Sequence, residues 1–219
     1  MKDLYIVANW KENKTVAAAI EFLEDFKTSY EPRENVTVVI CSSFLSVTEV
    51  KNFIQSDNLK VEVGVQDISQ YKKGPHTGEI SAAQAAEFAK YVILGHSERR
   101  AIGETNETVS QKAENAISKE LTPIVCVQNE TTPIPENVLI VAYEPIEAIG
   151  TGNPDTPENA QKVAAQVKEK NSEVLNILYG GSVTSENVRT FTEMPDISGV
   201  LVGGASLDPH EFSELIKNA

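Results

Sequence analysis

The sequence has few cysteines and few basic residues, and it has no long apolar run. Cys41 and Cys126 are the only cysteines among the 219 residues, which argues against a disulfide framework or a cysteine-rich metal site. Both lie at the ends of apolar stretches, so we expect two buried thiols that fill the core. No apolar run approaches the roughly 18 residues that a membrane span needs, and the start resembles no cleaved leader. We therefore expect a cytoplasmic protein that contacts no membrane.

Positive charge is also scarce. Lysine and arginine number 19 against 32 aspartates and glutamates, which gives a formal net charge of −13. The field of such a molecule repels phosphate backbones, so we expect no nucleic-acid partner. A small anionic substrate would need a local positive site within this negative field. The hydrophobic fraction of 41% and the charged fraction of 23% are ordinary for a globular chain.

Short runs rich in Val, Ile and Leu alternate with helical patterns along nearly the whole chain. Strands that are covered on both faces, as in parallel sheets, have this composition. The predicted strands are 5–8, 36–41, 60–65, 91–94, 123–127, 138–142, 176–179 and 199–202. Helices are predicted at 15–30, 47–55, 81–90, 107–119 and 184–190, and two more follow the cap-and-proline pairs Thr156-Pro157 and Asp208-Pro209.

Eight strands separated by helices favour a closed (β/α)8 barrel over an open doubly wound sheet. The connection from Gln128 to Asn137 is an exception, because Pro133 and Pro135 interrupt it. It is also shorter than the dozen or so residues that a parallel crossover usually needs. We therefore predict one α/β domain over residues 1–219, a (β/α)8 barrel whose crossover helix between strands five and six is reduced or missing.

Polar residues concentrate directly after the predicted strands, where barrels of this kind form their active sites. Asn9 and Lys11 follow the first strand two positions apart, so both side chains point the same way. His96 follows the fourth strand before a possible short helical turn, whose N-terminus favours neutral imidazole. Glu144 follows the sixth strand, where partial burial suits a general base. The alternatives are a solvated lysine, a structural histidine and a carboxylate paired with Arg or Lys.

Two glycine-rich turns follow the last two strands. They are Gly180-Gly181-Ser182 and Gly203-Gly204, and each could be only a tight turn. Their position is, however, the place where such barrels bind phosphate through backbone N–H groups. Together with Lys11, these amides would supply the local positive site that an acidic protein needs for an anionic substrate.

Longer motifs around these residues resemble a known family. They are Asn9-Trp10-Lys11, Gly95-His96-Ser97-Glu98-Arg99-Arg100, Tyr143-Glu144-Pro145, Gly150-Thr151-Gly152, Tyr179-Gly180-Gly181-Ser182 and Gly203-Gly204-Ala205-Ser206. In this order they resemble the triosephosphate isomerases over nearly the whole chain. The resemblance implies a TIM barrel that interconverts dihydroxyacetone phosphate and D-glyceraldehyde 3-phosphate through an enediolate, in glycolysis and gluconeogenesis. It implies no metal and no organic cofactor.

The resemblance also implies roles for single residues. Glu144 would be the general base that removes a proton from the carbon beside the carbonyl, and neutral His96 the electrophile that polarises the carbonyl. Lys11 would stabilise the developing negative charge and contact the phosphate, Glu98 would orient Lys11, and Asn9 would line the same cavity. Backbone amides would bind the phosphate around four further residues: Gly150, Ser182, Gly203 and Gly204.

Two loops complete the implied arrangement. The loop from Pro145 to Gly152 would close as a lid, although Glu147 stands where many family members have tryptophan. The long polar loop from Gln66 to Gly78, which begins Gln66-Asp67 where Gln-Asn is usual, implies a homodimer in which it inserts into the partner. A homotetramer is the alternative assembly, and a free surface loop is the other reading. The rival functions are another phosphosugar barrel enzyme and a non-catalytic phosphate-binding relative.

Overall fold

A computed structural model of the chain describes residues 2–146 and 153–219. In these residues eight parallel strands form a closed barrel, in which each strand pairs with the next and the last pairs with the first. The strands are β1 (Leu4–Asn9), β2 (Val36–Ser42), β3 (Glu62–Val65), β4 (Tyr91–Leu94), β5 (Thr122–Val127), β6 (Ile140–Tyr143), β7 (Asn176–Tyr179) and β8 (Ile197–Val202). The predicted (β/α)8 barrel is confirmed.

Helices occupy the connections and pack on the outside of the barrel. They are α1 (Val16–Ser29), α2 (Val47–Ser56), α3 (Ala82–Ala86), α4 (Ser97–Ala101), α5 (Asn106–Ile117), α6 (Pro157–Lys170), α7 (Val188–Thr192) and α8 (Pro209–Asn218). Within residues 2–146 and 153–219, none of them has the length and apolar content required to span a membrane.

Two predicted helices were placed wrongly. The helix predicted at 81–90 ends at Ala86, because the chain then turns toward the barrel and the Lys90 N–H donates to the Val63 carbonyl in β3 at 2.9 Å. The helix predicted at 184–190 begins only at Val188, since the preceding residues form a hydrogen-bonded turn. That turn lies beside the candidate site.

Side-chain caps start the helices where the sequence predicts them. The Thr156 hydroxyl accepts from the Asn159 N–H at 3.2 Å, and the Asp208 carboxylate accepts from the N–H groups of His210 and Glu211 at 3.0 and 2.8 Å. Both caps precede a proline, which needs no hydrogen-bond partner at the first helical position. The starts of α6 and α8 are therefore encoded locally.

The connection between β5 and β6 has turns in place of a crossover helix, as the sequence predicts. The Thr132 hydroxyl accepts from the N–H groups of Gln128 and Asn129 at 3.2 and 3.3 Å, which closes the first turn. Ile134 packs against the outer core, and Val127 and Val141 are fully buried. The short connection itself thus shields the outer face of β5 and β6.

The core has two layers. One fills the barrel and includes Val7, Ile93 and Leu178, and the other lies between the barrel and the helices. Cys41 and Cys126 lie in the inner layer and are buried, as predicted. Because all eight strands are parallel, their carboxyl ends meet on one face of the barrel.

Candidate active site

A cavity of about 510 Å³ opens on the carboxyl face of the barrel. It brings together nearly all the residues that the sequence predicts for the site, from the ends of β1, β4, β6, β7 and β8. Its lining includes Asn9, Lys11, His96, Glu144, Gly180, Gly181, Ser182, Gly203 and Gly204. Gly150 and most of the predicted lid, residues 147–152, lie outside the described residues.

Glu144 lies at the end of β6 and is buried, with 1% of its surface exposed. Its N–H donates to the Val127 carbonyl at 2.8 Å and so extends the pairing of β6 with β5. One carboxylate oxygen lies 2.9 Å from His96 Nε2, and the other accepts from the Ser97 N–H at 2.9 Å. These two partners are an imidazole and an amide, and among the described contacts the alternative of an Arg or Lys partner is not found.

The glycine after β7 lets the chain pass close to this carboxylate. A Cβ at Gly180 would lie 3.0 Å from Glu144 Cγ and 3.1 Å from the Tyr143 carbonyl oxygen. The Gly180 N–H also donates to that carbonyl at 2.7 Å. A larger residue at position 180 would therefore displace either the carboxylate or the end of β6.

His96 caps the short helix α4, as the predicted helical turn requires. Its Nδ1 accepts from the Glu98 N–H at 3.2 Å, so Nδ1 carries no proton. The hydrogen-bond pattern therefore assigns a neutral ring with its proton on Nε2, the nitrogen that faces Glu144. Gly95 allows the chain to turn here with φ of 67°, and its carbonyl accepts from Arg100 Nε at 2.7 Å.

Lys11 is fixed through its backbone as well as its side chain. Its φ of 52° is unusual for a residue with a Cβ. The Lys11 N–H donates to Asn9 Oδ1 at 3.1 Å, and Gln66 Nε2 donates to the carbonyl oxygens of Lys11 and Cys41, both at 3.0 Å. Lys11 Nζ lies 2.7 Å from a Glu98 carboxylate oxygen. The predicted contact between Glu98 and Lys11 is thus present in the structure.

Sequence reasoning assigned Gln66 and Asp67 only to the start of a loop, and it missed Lys112. Asp67 contacts Lys112 Nζ at 2.6 Å and Arg99 Nη2 at 3.1 Å. The Lys112 side chain is only 5% exposed, which is rare for lysine without partners. Burial raises the pKa of Asp67, while Lys112 and Arg99 oppose the shift. These contacts fasten the loop to α5 through Lys112 and, through Arg99, to α4, whose cap is His96.

Cys126 lies beside the Glu144 carboxylate, so it does more than fill the core. Burial raises the pKa of its thiol well above the usual range, and the charge of Glu144 and a hydrogen bond to that carboxylate raise it further. The thiol therefore stays protonated at neutral pH and gives Glu144 a third donor. In the sequence, only the position of Cys126 near the end of a predicted strand indicates that it lies on the face where the site forms.

The cavity contains a buried carboxylate beside a neutral imidazole, with a lysine and two glycine-rich turns around them. A base and a hydrogen-bond donor next to anion-binding groups suit proton transfer on a small anionic substrate. Fold and site together define a class, the (β/α)8-barrel enzymes that act on such substrates at the carboxyl ends of their strands.

Comparison with known proteins narrows this class. The family model described as triosephosphate isomerase matches residues 4–138 and 133–219. The triosephosphate isomerase of Endomicrobium trichonymphae is 38% identical over an alignment of 250 positions that covers 99% of each chain. Those of Mesomycoplasma hyorhinis and Herminiimonas arsenicoxydans are 37% and 39% identical, and they cover 99% and 100% of this chain and 98% and 100% of their own. The chain belongs to the triosephosphate isomerase family.

Membership of this family gives the reaction class. It is the isomerisation that interconverts dihydroxyacetone phosphate and D-glyceraldehyde 3-phosphate, a step of glycolysis. The two segments matched by the family model overlap at residues 133–138, which lie in the connection between β5 and β6. The family model is thus interrupted where this chain has turns in place of the crossover helix.

The burial of both cysteines predicts that neither thiol of the folded protein reacts with Ellman's reagent at pH 8, because the raised pKa of each withholds the thiolate. Both should react after unfolding in guanidinium chloride. A Ser56→Cys variant, whose new thiol is exposed, should react at once in the folded state. Rapid reaction of a native cysteine in the wild-type protein would contradict the burial described here.

Proposed function

We propose that the chain performs this isomerisation with Glu144 as general base, His96 as electrophile and Lys11 as electrostatic stabiliser. The observation that carries the proposal is the 2.9 Å contact between the buried Glu144 carboxylate and the protonated nitrogen of His96. A base and a hydrogen-bond donor side by side match the two sites of reaction on a hydroxycarbonyl compound, the C–H bond and the carbonyl oxygen.

In the proposed reaction, proton transfers between the substrate and the Glu144 and His96 side chains interconvert the aldehyde and the ketone. Glu144 takes a proton from the carbon beside the carbonyl, and the electrons of that C–H bond form the double bond of an enediolate. His96 Nε2–H donates to the carbonyl oxygen as its negative charge develops, and the ring then shuttles a proton between the two oxygens. Glu144 returns a proton to the neighbouring carbon, which completes the exchange of aldehyde and ketone. Burial of Glu144 limits the number of water molecules around the base itself.

The proposal assigns the phosphate group to the other half of the cavity. Lys11 supplies a full positive charge, and Asn9 lies beside it. The backbone around Ser182, Gly203 and Gly204 lines the same space and offers N–H groups. Local donors of this kind act at a few ångströms, whereas the net charge of −13 is spread over the whole surface and screened by salt.

The two rival functions make different demands on the site. A non-catalytic phosphate-binding relative needs the glycine turns and Lys11, but it has no use for a buried carboxylate beside a neutral imidazole. Another phosphosugar barrel enzyme shares the turns without a reason for this pair. A coupled assay with D-glyceraldehyde 3-phosphate separates the three, since only the proposed function gives turnover above background.

Glu144→Asp should lower kcat by about 10² to 10³ with a smaller change in KM, because the shorter side chain withdraws the base from the substrate carbon. Steady-state kinetics in both directions would measure this. The matched control is Glu158→Asp, an exposed substitution in the first turn of α6 that should leave kcat unchanged. An unchanged kcat in Glu144→Asp would remove Glu144 from the chemistry.

The proposal extends to a cytoplasmic location, where glycolysis runs, and to a homodimer formed through the loop from Gln66 to Gly78. Exposed apolar residues near that loop support the dimer. Leu45 is 88% exposed, Ile102 is 74% exposed, and Tyr71 within the loop is 43% exposed. A cleft of about 230 Å³ lies between the loops after β1, β2 and β3 and the start of α4. In the proposed dimer this cleft accepts the tip of the partner's loop.

Sedimentation equilibrium should therefore give about twice the mass of one chain. Ile102→Asp should weaken the association, because it places a charge on the apolar surface that the partner would cover. Leu175→Asp is the matched control, since Leu175 is 60% exposed at the opposite end of the barrel. A fully active monomer would contradict the dimer, and a fourfold mass would favour the homotetramer.

A further inference from the structure

The turn that follows β7 is fixed by a side chain from just beyond it. Asn187 Oδ1 accepts from the Thr184 N–H at 2.9 Å, and Asn187 Nδ2 donates to the Ser182 carbonyl oxygen at 3.1 Å. One amide group therefore bonds to the backbone on both sides of residue 183. Only a side chain with both a donor and an acceptor can make this pair of bonds.

The same contact explains why α7 starts late. Asn187 is the cap residue of α7, yet its side chain makes no capping bond to that helix and turns back to the preceding residues. The N–H groups of Asn187 and Val188 donate to the Thr184 carbonyl at 3.3 and 3.0 Å. An asparagine side chain that competes in this way for the backbone favours a turn over a helix.

A second side chain reaches this turn from the next unit of the barrel. The two Glu211 carboxylate oxygens accept from the Ser185 N–H at 2.7 Å and from the Ser185 hydroxyl at 2.9 Å. Glu211 lies in the first turn of α8, and its N–H donates to the cap residue Asp208 at 2.8 Å. The chain reaches this cap from Gly203-Gly204 through the 3-10 helix Gly204–Leu207, so Glu211 links the turn after β7 to the end of the segment that follows β8.

Both side chains line the cavity of the candidate site. A carboxylate at Glu211 would repel a phosphate if it were directed at it. Its two oxygens are instead engaged by Ser185, so the cost of a negative group in this place is offset by two charge-assisted hydrogen bonds. The Glu211 carboxylate therefore serves as a structural link to Ser185 and not as a substrate contact.

We propose that Asn187 and Glu211 are positioning residues that set the direction and spacing of the two turns whose backbone amides bind the phosphate. The proposal rests on the phosphate site proposed above. Amide donors must point at the phosphate oxygens to bind them well, and a turn released from Asn187 would lose that alignment. The effect should appear in phosphate binding and not in the proton transfer at Glu144 and His96.

The experiment compares Asn187→Ala with the wild-type protein. We expect the KM for D-glyceraldehyde 3-phosphate and the competitive inhibition constant of inorganic phosphate to rise by about tenfold each, the size expected for misaligned charge-assisted hydrogen bonds. The kcat/KM for unphosphorylated D-glyceraldehyde should stay within about twofold of wild type. Calorimetric titration with inorganic phosphate gives the same comparison without turnover. Asn171→Ala, which removes an asparagine contact at the end of α6, is the matched control.

Glu211 has a conservative variant that separates geometry from charge. Glu211→Gln can still accept from the Ser185 N–H and donate to its hydroxyl, so it should keep the phosphate affinity of the wild type. Glu211→Ala should weaken phosphate binding about as much as Asn187→Ala. If both Glu211 variants instead bind phosphate more tightly, the residue acts by repulsion and its role as a link is wrong.

Other outcomes would also overturn the proposal. Unchanged phosphate binding in Asn187→Ala would show that the turn keeps its geometry without Asn187. A parallel fall in activity toward D-glyceraldehyde would show a general structural defect. If the wild-type protein itself neither binds nor is inhibited by inorganic phosphate, the underlying phosphate site is rejected. If the wild-type protein binds inorganic phosphate and Asn187→Ala binds it equally well, only the positioning role is rejected.

Discussion

The buried contact between Glu144 and His96 is the interaction on which the rest of the site depends. A carboxylate removed from water is costly unless donors surround it. Here His96 Nε2 and the Ser97 N–H each lie at 2.9 Å, and the Cys126 thiol is the third donor. The first two donors follow β4, whereas the carboxylate follows β6, and β5 lies between them. The contact therefore exists only because three neighbouring strands end at the same level. The Glu144 N–H secures that level through the Val127 carbonyl of β5.

Other strands extend this arrangement. The Glu98 N–H fixes the tautomer of His96, and the Glu98 carboxylate contacts Lys11 from β1. Gln66, after β3, holds the Lys11 backbone in its unusual conformation. The glycine-rich turns after β7 and β8 complete the cavity. An acidic chain can in this way offer donors to an anion, because backbone amides and one lysine act at short range while the net charge is screened by salt.

Much of this could be predicted from the sequence. The strands are recognisable because buried parallel strands need continuous apolar runs. Glu144 and His96 are recognisable because they directly follow such strands, where barrels of this kind form their active sites. Contacts made across loops could not be predicted. Gln66 bonds to Lys11 and Lys112 is buried against Asp67 through tertiary contacts that no local pattern encodes. Asn187 bonds to its own loop, a local contact that competes with the helical pattern predicted there. The late start of α7 has the same cause.

The central claim is that Glu144 carries a proton between two substrate carbons, and isomerisation in D₂O tests it most directly. Dihydroxyacetone phosphate converted by the wild-type protein should give D-glyceraldehyde 3-phosphate with solvent deuterium at C2, detected by proton NMR, because a carboxylate base exchanges its proton before returning it. Glu144→Gln should give no such exchange while it still binds inorganic phosphate. Deuterium incorporation by Glu144→Gln at the wild-type rate would contradict the account.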